Sequence, residues 1–282
     1  AWLRVYVFRV FWYAQLLMLP LALISGWAGL LALPFGAGEI VGQVMVLSVS
    51  VALIVLGVAG YFGSRRLTFR EVTLKPRGMP RALDGLRIVQ LSDLHVGPHT
   101  SRRQLARIAT IVRDAAPDIL AYTGDQVDDY PRDVKDLGEA FGDLRAPLGV
   151  YAIAGNHDVY AGWSEVRRGL EALGIRVLVN DAVRLAHNGA EFWLAGTGDP
   201  AGNQFVRGTE SAAPDVARTM ASIPKGAFSI VLAHNPALFK WLAERGAGVV
   251  LSGHTHHGQF SIPSRNWSLA SVFLEYAMGT YE

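Results

Sequence analysis

Along this chain, carboxylates, imidazoles and one carboxamide recur in short groups: Asp93-x-His95, Asp125, Asn156-His157-Asp158, His234 and His254-x-His256. Their oxygen and nitrogen donors suit a hard or borderline dication such as Mn²⁺, Fe²⁺, Zn²⁺ or Mg²⁺. The sequence has no cysteine, which excludes disulfides and thiolate ligands. Asp-x-His alone is a weak signal, because two polar residues often open a loop. The weight comes from repetition in order along the chain.

Each group follows a short apolar run. Leu86, Ile88, Val89 and Leu91 predict a buried strand that runs into Asp93. Asp93 and His95, two residues apart at the carboxyl end of that strand, point the same way by the strand's period of two. Further strands are predicted at 119–123, 150–154, 229–233 and 249–252, each ending at the next donor group. In α/β sheets, sites form at the carboxyl ends of strands. Gly124, Gly155 and Gly253 precede the polar residues, where they permit sharp turns and close backbone approach.

Helices are predicted between these strands at 101–115 (capped by Ser101), 134–144, 163–173 (closed by Gly174), 216–222 and 236–244. Short strands at 176–179, 183–186 and 191–195 complete the pattern, with Asn188-Gly189 as a hairpin turn. A Gly/Pro-rich loop spans 196–214. The class is α/β with an antiparallel hairpin inserted.

The front of the chain is different. Residues 10–38 carry no charge, and 40–63 form a second uncharged run. Both exceed the roughly 18 residues that signal a membrane span. Pro34, Gly36 and Gly38 mark the break, so residues 1–63 are expected to form a transmembrane helical hairpin rather than a pair of buried core helices. Arg4 and Arg9 precede it, Arg65, Arg66 and Arg70 follow it, and the turn has no Lys or Arg. By the positive-inside rule both ends face the cytoplasm. Residues 64–84 read as a juxtamembrane linker, with an edge strand at 71–74, and 85–282 as a separate α/β domain. The whole chain carries 26 Lys and Arg against 24 Asp and Glu, which gives no support for a nucleic-acid surface. The chain opens on Ala, so upstream sequence is expected.

The ordered set Asp93-x-His95, Gly124-Asp125, Gly155-Asn156-His157-Asp158, His234 and Gly253-His254-Thr255-His256 resembles the five-block signature of the calcineurin-like metallophosphoesterases. With the hairpin, it is similar to their membrane-anchored bacterial branch. The resemblance implies a four-layer αββα sandwich and two divalent ions, Mn²⁺, Fe²⁺ or Zn²⁺ before Mg²⁺. Asp93, His95 and His256 would hold one ion, Asn156, His234 and His254 the other, and Asp125 would bridge them. A hydroxide between ions about 3.5–4 Å apart would be the nucleophile. His157 would protonate the leaving group, and Asp158 would orient that imidazole and raise its pKa. The implied substrate is a phosphodiester or pyrophosphate, with a lipid-linked nucleotide suggested by the hairpin.

Asp129-Tyr130 and Asp158 depart from the protein Ser/Thr phosphatase branch. The alternatives are an inactive metal-binding scaffold, which the complete ligand set opposes, and a membrane metal sensor, which leaves His157-Asp158 unexplained. Among other residues, His99 and His187 read as loop positions, Asp128 and Asp129 as hydrogen-bonding or surface groups, and Arg207 as a surface cation. His257 stands where many relatives have Gly. Relatives continue past this chain's end with strands that complete the second sheet, and 269–278 is expected to supply one strand.

Overall fold

The computed structural model describes residues 9–63, 67–98, 100–204, 211–256, 261–262, 267–268 and 270–281. The chain divides into two compact units, Ala1–Arg70 and Glu71–Glu282.

In the first unit, α1 (Arg9–Ala32) and α2 (Gly38–Gly63) are joined by a 3-10 turn, Leu33–Phe35, that begins around Pro34. The turn closes with Gly36 at φ 67°, its N–H donating to the carbonyl of Leu33 at 3.0 Å. A Cβ on Gly29 would stand 3.2 Å from the carbonyl oxygen of Gly38, so small residues allow the two helices to approach closely. Leu17–Phe35 and Gly38–Gly63 have mean hydropathies of 1.8 and 2.4, and by length and composition either could cross a membrane. Only 11% and 0% of these spans is buried, which is not how core helices pack.

The second unit is built on two sheets. The first is fully parallel, in the order β1 (Ile88–Leu91), β2 (Ile119–Tyr122), β3 (Val150–Ala152), β4 (Arg176–Val177). α3 (Arg102–Ala115), α4 (Val134–Phe141) and α5 (Asn156–Ala172) connect its strands. The second runs β5 (Asp181–His187), β6 (Ala190–Gly196), β7 (Ser229–Leu232), β8 (Val249–Leu251). Its first pair is antiparallel and the others parallel. α6 (Val216–Ala221) and α7 (Phe239–Glu244) serve this sheet, and β9 (Ser261–Ile262) and β10 (Trp267–Ser268) form a separate ribbon.

Strand alternation sorts the side chains into layers. Leu120 and Tyr122 of β2 join a core with Leu105, Val112, Leu137, Phe141 and Val166 from the helices. Ile119 and Ala121 turn the other way and meet Phe192, Leu194, Ile230 and Leu232 of the second sheet. Val231 and Ala233 then pack on Leu238 and Leu242. Helix, sheet, sheet and helix follow one another, as the four-layer expectation required. Met79 and Leu83 also pack into the layer between the sheets, so the end of the stretch read as a linker contributes to this core.

Local differences from expectation have physical causes. β1 and β8 are partly buried rather than buried, because each is the edge of its sheet. Gln90 spans these two edges, donating to Thr123 Oγ1 at 2.8 Å and to the Ser252 carbonyl at 2.9 Å. Residues 71–74 form no strand, and described residues 270–281 form a 3-10 turn and bends, since a strand needs a neighbouring ladder. Ser101 takes the N-cap position of α3 without a side-chain bond. α5 begins at Asn156 rather than near Trp163. Gly162, at φ 119°, kinks it and interrupts the apolar period that would have revealed its first turns. The Asn188-Gly189 turn has φ of 48° and 82°, the left-handed pair of a type I′ hairpin.

Candidate metal centre

Five of the eight non-glycine residues with positive φ among the described residues are Asp93, Asp125, His95, His254 and His256. Asp93 (54°) and His95 (43°) therefore do not continue the strand. The pair is aimed by two left-handed backbone positions, not by a period of two. Asp, Asn and His tolerate that region better than most residues. Each position still costs about 1–2 kcal/mol, so the surroundings must hold it. The Asp93 N–H donates to the Gly124 carbonyl at 3.1 Å and the His95 N–H to the Asp125 carbonyl at 3.0 Å. The His254 N–H donates to both carboxylate oxygens of Asp93, at 3.0 and 3.1 Å.

Close approach explains all three glycines, since a Cβ on Gly124 would collide with His234 Nδ1. A Cβ on Gly155 would collide with the backbone N and carboxylate of Asp125, and one on Gly253 with Ser92 Oγ and the Asp93 carboxylate. Gly124 sits at φ 96°.

The donors form one continuous chain. Asp93 Oδ1 lies 3.4 Å from His256 Nε2, which lies 3.0 Å from His95 Nε2. His95 Nε2 lies 3.5 Å from Asp125 Oδ2, which lies 3.3 Å from His234 Nε2. His234 Nε2 is 3.2 Å from Asn156 Oδ1, which is 2.8 Å from His254 Nδ1. All seven expected ligands are thus brought together, with Asp125 Oδ2 at the middle. The donor atoms of Asp93, His95, Asp125 and His256 all lie within 4.8 Å of one another. At most one proton fits between the facing Nε2 atoms of His95 and His256. Such convergent lone pairs fit a cation. His234 Nδ1 is satisfied by the Thr123 carbonyl at 2.7 Å, which leaves its Nε2 lone pair for the centre.

His157 and Asp158 separate. The His157 N–H donates to Asp125 Oδ1 at 2.8 Å, and its ring Nδ1 to the Asp128 carbonyl at 2.9 Å. Its side chain is 34% exposed, so the ring faces an opening. Asp158 is fully buried and turns away from that ring. One of its oxygens accepts the N–H groups of Asp125 and Gly155, both at 2.9 Å. The other accepts those of Gln126 at 3.0 Å and Val127 at 3.1 Å. The expectation that Asp158 orients the His157 imidazole is therefore corrected: Asp158 clamps two loops, because its place in the first turn of α5 points it at their free N–H groups.

The acid beside the imidazole is Asp128, whose Oδ1 lies 3.5 Å from both His157 Nδ1 and His95 Nδ1. Its spacing after Asp125 was the available signal. His95, Asp128 and His157 form a second cluster of convergent donors. His187 ends β5, in the other sheet's hairpin. His99, Arg207 and His257 lie outside the described residues.

The electrostatics follow this packing. Burial opposes the ionised form of Asp125, but His234 and His95 outweigh it and hold the carboxyl below its usual value. Burial likewise opposes the charge on His234, yet Asp125 raises it to about 9. His95 is raised for a similar reason, with Asp128, Asp125 and Asp93 overcoming its burial. His254 and His256 are lowered, first by burial and then by charge in neighbouring imidazoles. Burial and then the charge of Asp125 push Asp158 up to about 7, against the backbone N–H groups it accepts.

Two sheets back to back, with His, Asp and Asn donors at their carboxyl ends, define a class of metal-holding α/β sandwiches. The model of the calcineurin-like phosphoesterase family matches residues 86–258, and the chain belongs to that family. A Danio rerio protein named transmembrane protein with metallophosphoesterase domain is 30% identical over 231 residues, 79% of this chain and 52% of its own length. An uncharacterized metallophosphoesterase of Campylobacter jejuni is 33% identical over 211 residues, 74% of this chain and 54% of its own. The chain spans about half the length of both relatives. The solved phosphopantetheinyl hydrolase of Mycobacterium tuberculosis aligns with a TM-score of 0.41 and 14% identity, over 60% of this chain and 83% of that one.

Proposed function

We propose that this protein hydrolyses a phosphodiester or pyrophosphate with two divalent ions. Asp93, His95 and His256 would hold one ion and Asn156, His234 and His254 the other, with Asp125 available to both. The observation that carries this reading is the unbroken series of donor contacts, 2.8–3.5 Å, with Asp125 Oδ2 at its centre. Nitrogen and carboxylate donors together suit Mn²⁺, Fe²⁺ or Zn²⁺, with Mg²⁺ less favoured by the imidazoles. When bound, paired dications polarise phosphoryl oxygens and lower the pKa of water.

The chain's own groups do the rest. Asp125 and the imidazoles place the phosphoryl group. His157 stands at the opening with its Nδ1 proton committed to the Asp128 carbonyl, so its Nε2 is the atom that can deliver a proton to a leaving oxygen. Asp128 keeps that ring in place.

The substrate reading is a lipid-linked phosphoester at the bilayer. It is supported by the two apolar helices and by the name of the Danio rerio relative. The arginines flanking the hairpin favour a cytoplasmic catalytic unit.

The test is hydrolysis of bis-p-nitrophenyl phosphate by the detergent-solubilised chain, stripped of metal and then given Mn²⁺. Activity should return with Mn²⁺. His157→Ala should lower turnover by about 10²–10⁴-fold while leaving metal content intact. Loss of both ions in that variant would refute the role of His157. A folded chain that takes up no ion would refute the donor set.

A further inference from the structure

β6, β7 and β8 lie side by side and parallel in the second sheet. Two of them lead directly to donors, His234 after β7 and His254 after β8. The ladder continues past their ends: the Thr197 N–H donates to the Leu232 carbonyl and the Gly253 N–H to the His234 carbonyl, both at 3.0 Å. β6, their neighbour, leads to Asp199. That residue is 1% exposed.

Its setting is firmly built. The Asp199 N–H donates to the Ala212 carbonyl at 2.7 Å, and Oδ1 accepts the Ala201 N–H at 2.9 Å. Asn180 ties the same loops together, accepting the N–H groups of Gly198 and Asp215 and donating to the Ala213 carbonyl. Among the described residues, however, Asp199 Oδ2 is buried with no hydrogen-bond partner. Leaving a buried polar atom unpaired is expensive. The turn with Ala201 needs only Oδ1, so an asparagine would serve it as well. The second oxygen calls for another explanation.

The two imidazoles supply one. Burial, the largest effect, pushes the Asp199 carboxyl up, while the Ala201 N–H and then the His234 and His254 imidazoles draw it down. These imidazoles differ at their outer edges. His234 has the Thr123 carbonyl on its Nδ1. His254 turns Nδ1 inward to Asn156, and among the described residues its Nε2 has no partner. One donor histidine thus lacks an outer partner, and a buried carboxylate oxygen lacks a donor, two strands away in the same sheet. Ligand histidines usually have an outer carboxylate or carbonyl that fixes the ring and raises its basicity.

We propose that Asp199 is a positioning residue that supplies outer negative charge for His254 and His234 and so strengthens the ion held with Asn156. This rests on the two-ion reading above. The test is calorimetric Mn²⁺ titration of the full chain in detergent, wild type against Asp199→Asn, with a thermal melt of each metal-free protein. Asparagine retains the Ala201 acceptor and the side-chain shape. The metal-free variant should melt at or above the wild-type temperature. One of the two Mn²⁺ steps should weaken by about 10–100-fold and the other stay unchanged.

Equal affinities in the two proteins would overturn this inference alone. So would a lower metal-free melt with both steps weakened together, since that marks a structural residue. A wild type that takes up no Mn²⁺ would overturn the two-ion reading and this inference with it.

Discussion

The two halves of the centre are built differently. The half from the first sheet, carrying Asp93, His95, Asp125, Asn156 and His157, is knitted by its own backbone. Asp158 alone accepts four N–H groups from two loops, and the parallel bridge of Val96 with Val127 extends the β1–β2 pairing past the strands. The half from the second sheet leans on the first. His234 rests on the Thr123 carbonyl, and the His254 N–H rests on the Asp93 carboxylate. The residue that organises the site most is therefore not a donor to it. Ligand identity and ligand placement are assigned to different side chains.

The largest test of that contrast is Asp158→Ala. Four buried N–H groups would lose their acceptor, at about 1–3 kcal/mol for each left unsatisfied. Water entering the space would recover part of this, so a loss of about 3 kcal/mol or more is expected in urea unfolding, together with both ions. A variant that unfolds like the wild type and binds two ions would show that the first half needs no clamp. Next in size are His234→Ala and His256→Ala. Each should retain one Mn²⁺ per chain by elemental analysis, from opposite ends of the donor chain. If His234→Ala emptied both positions, the two ion positions would not be separable.

A smaller effect is expected at Gly253, where the halves touch. Gly253→Ala would press a methyl group into Ser92 and Asp93, at about 1–3 kcal/mol for overpacking. Gly57→Ala in α2 has open space around it and should leave the melting temperature of the second unit unchanged. Equal melting temperatures for the two variants would remove the claim of a tight junction.

Much of this was legible in one dimension. Donor groups ended apolar runs in the expected order, because strands announce themselves through local side-chain pattern. The Asn188-Gly189 turn was readable because few residue types tolerate two left-handed positions in sequence. The two apolar helices were readable from composition alone.

Other features needed the folded chain. The start of α5 was hidden by the Gly162 kink, and with it the reason Asp158 faces inward. Adjacent residues His157 and Asp158 looked like partners in the sequence, but a helix turns successive side chains about 100° apart. One therefore reaches an opening and the other a loop.

The sequence by itself determined which atoms could bind a cation and most of the segments that form strands, helices or apolar spans. Those properties are written in residue type and short-range period. Only the tertiary structure decided that the edges β1 and β8 meet, that Asp128 rather than Asp158 stands by the imidazole, and that Asp199 lies buried after the strand next to β7. Those outcomes depend on which distant backbone groups find one another once the layers pack, and nothing local encodes them.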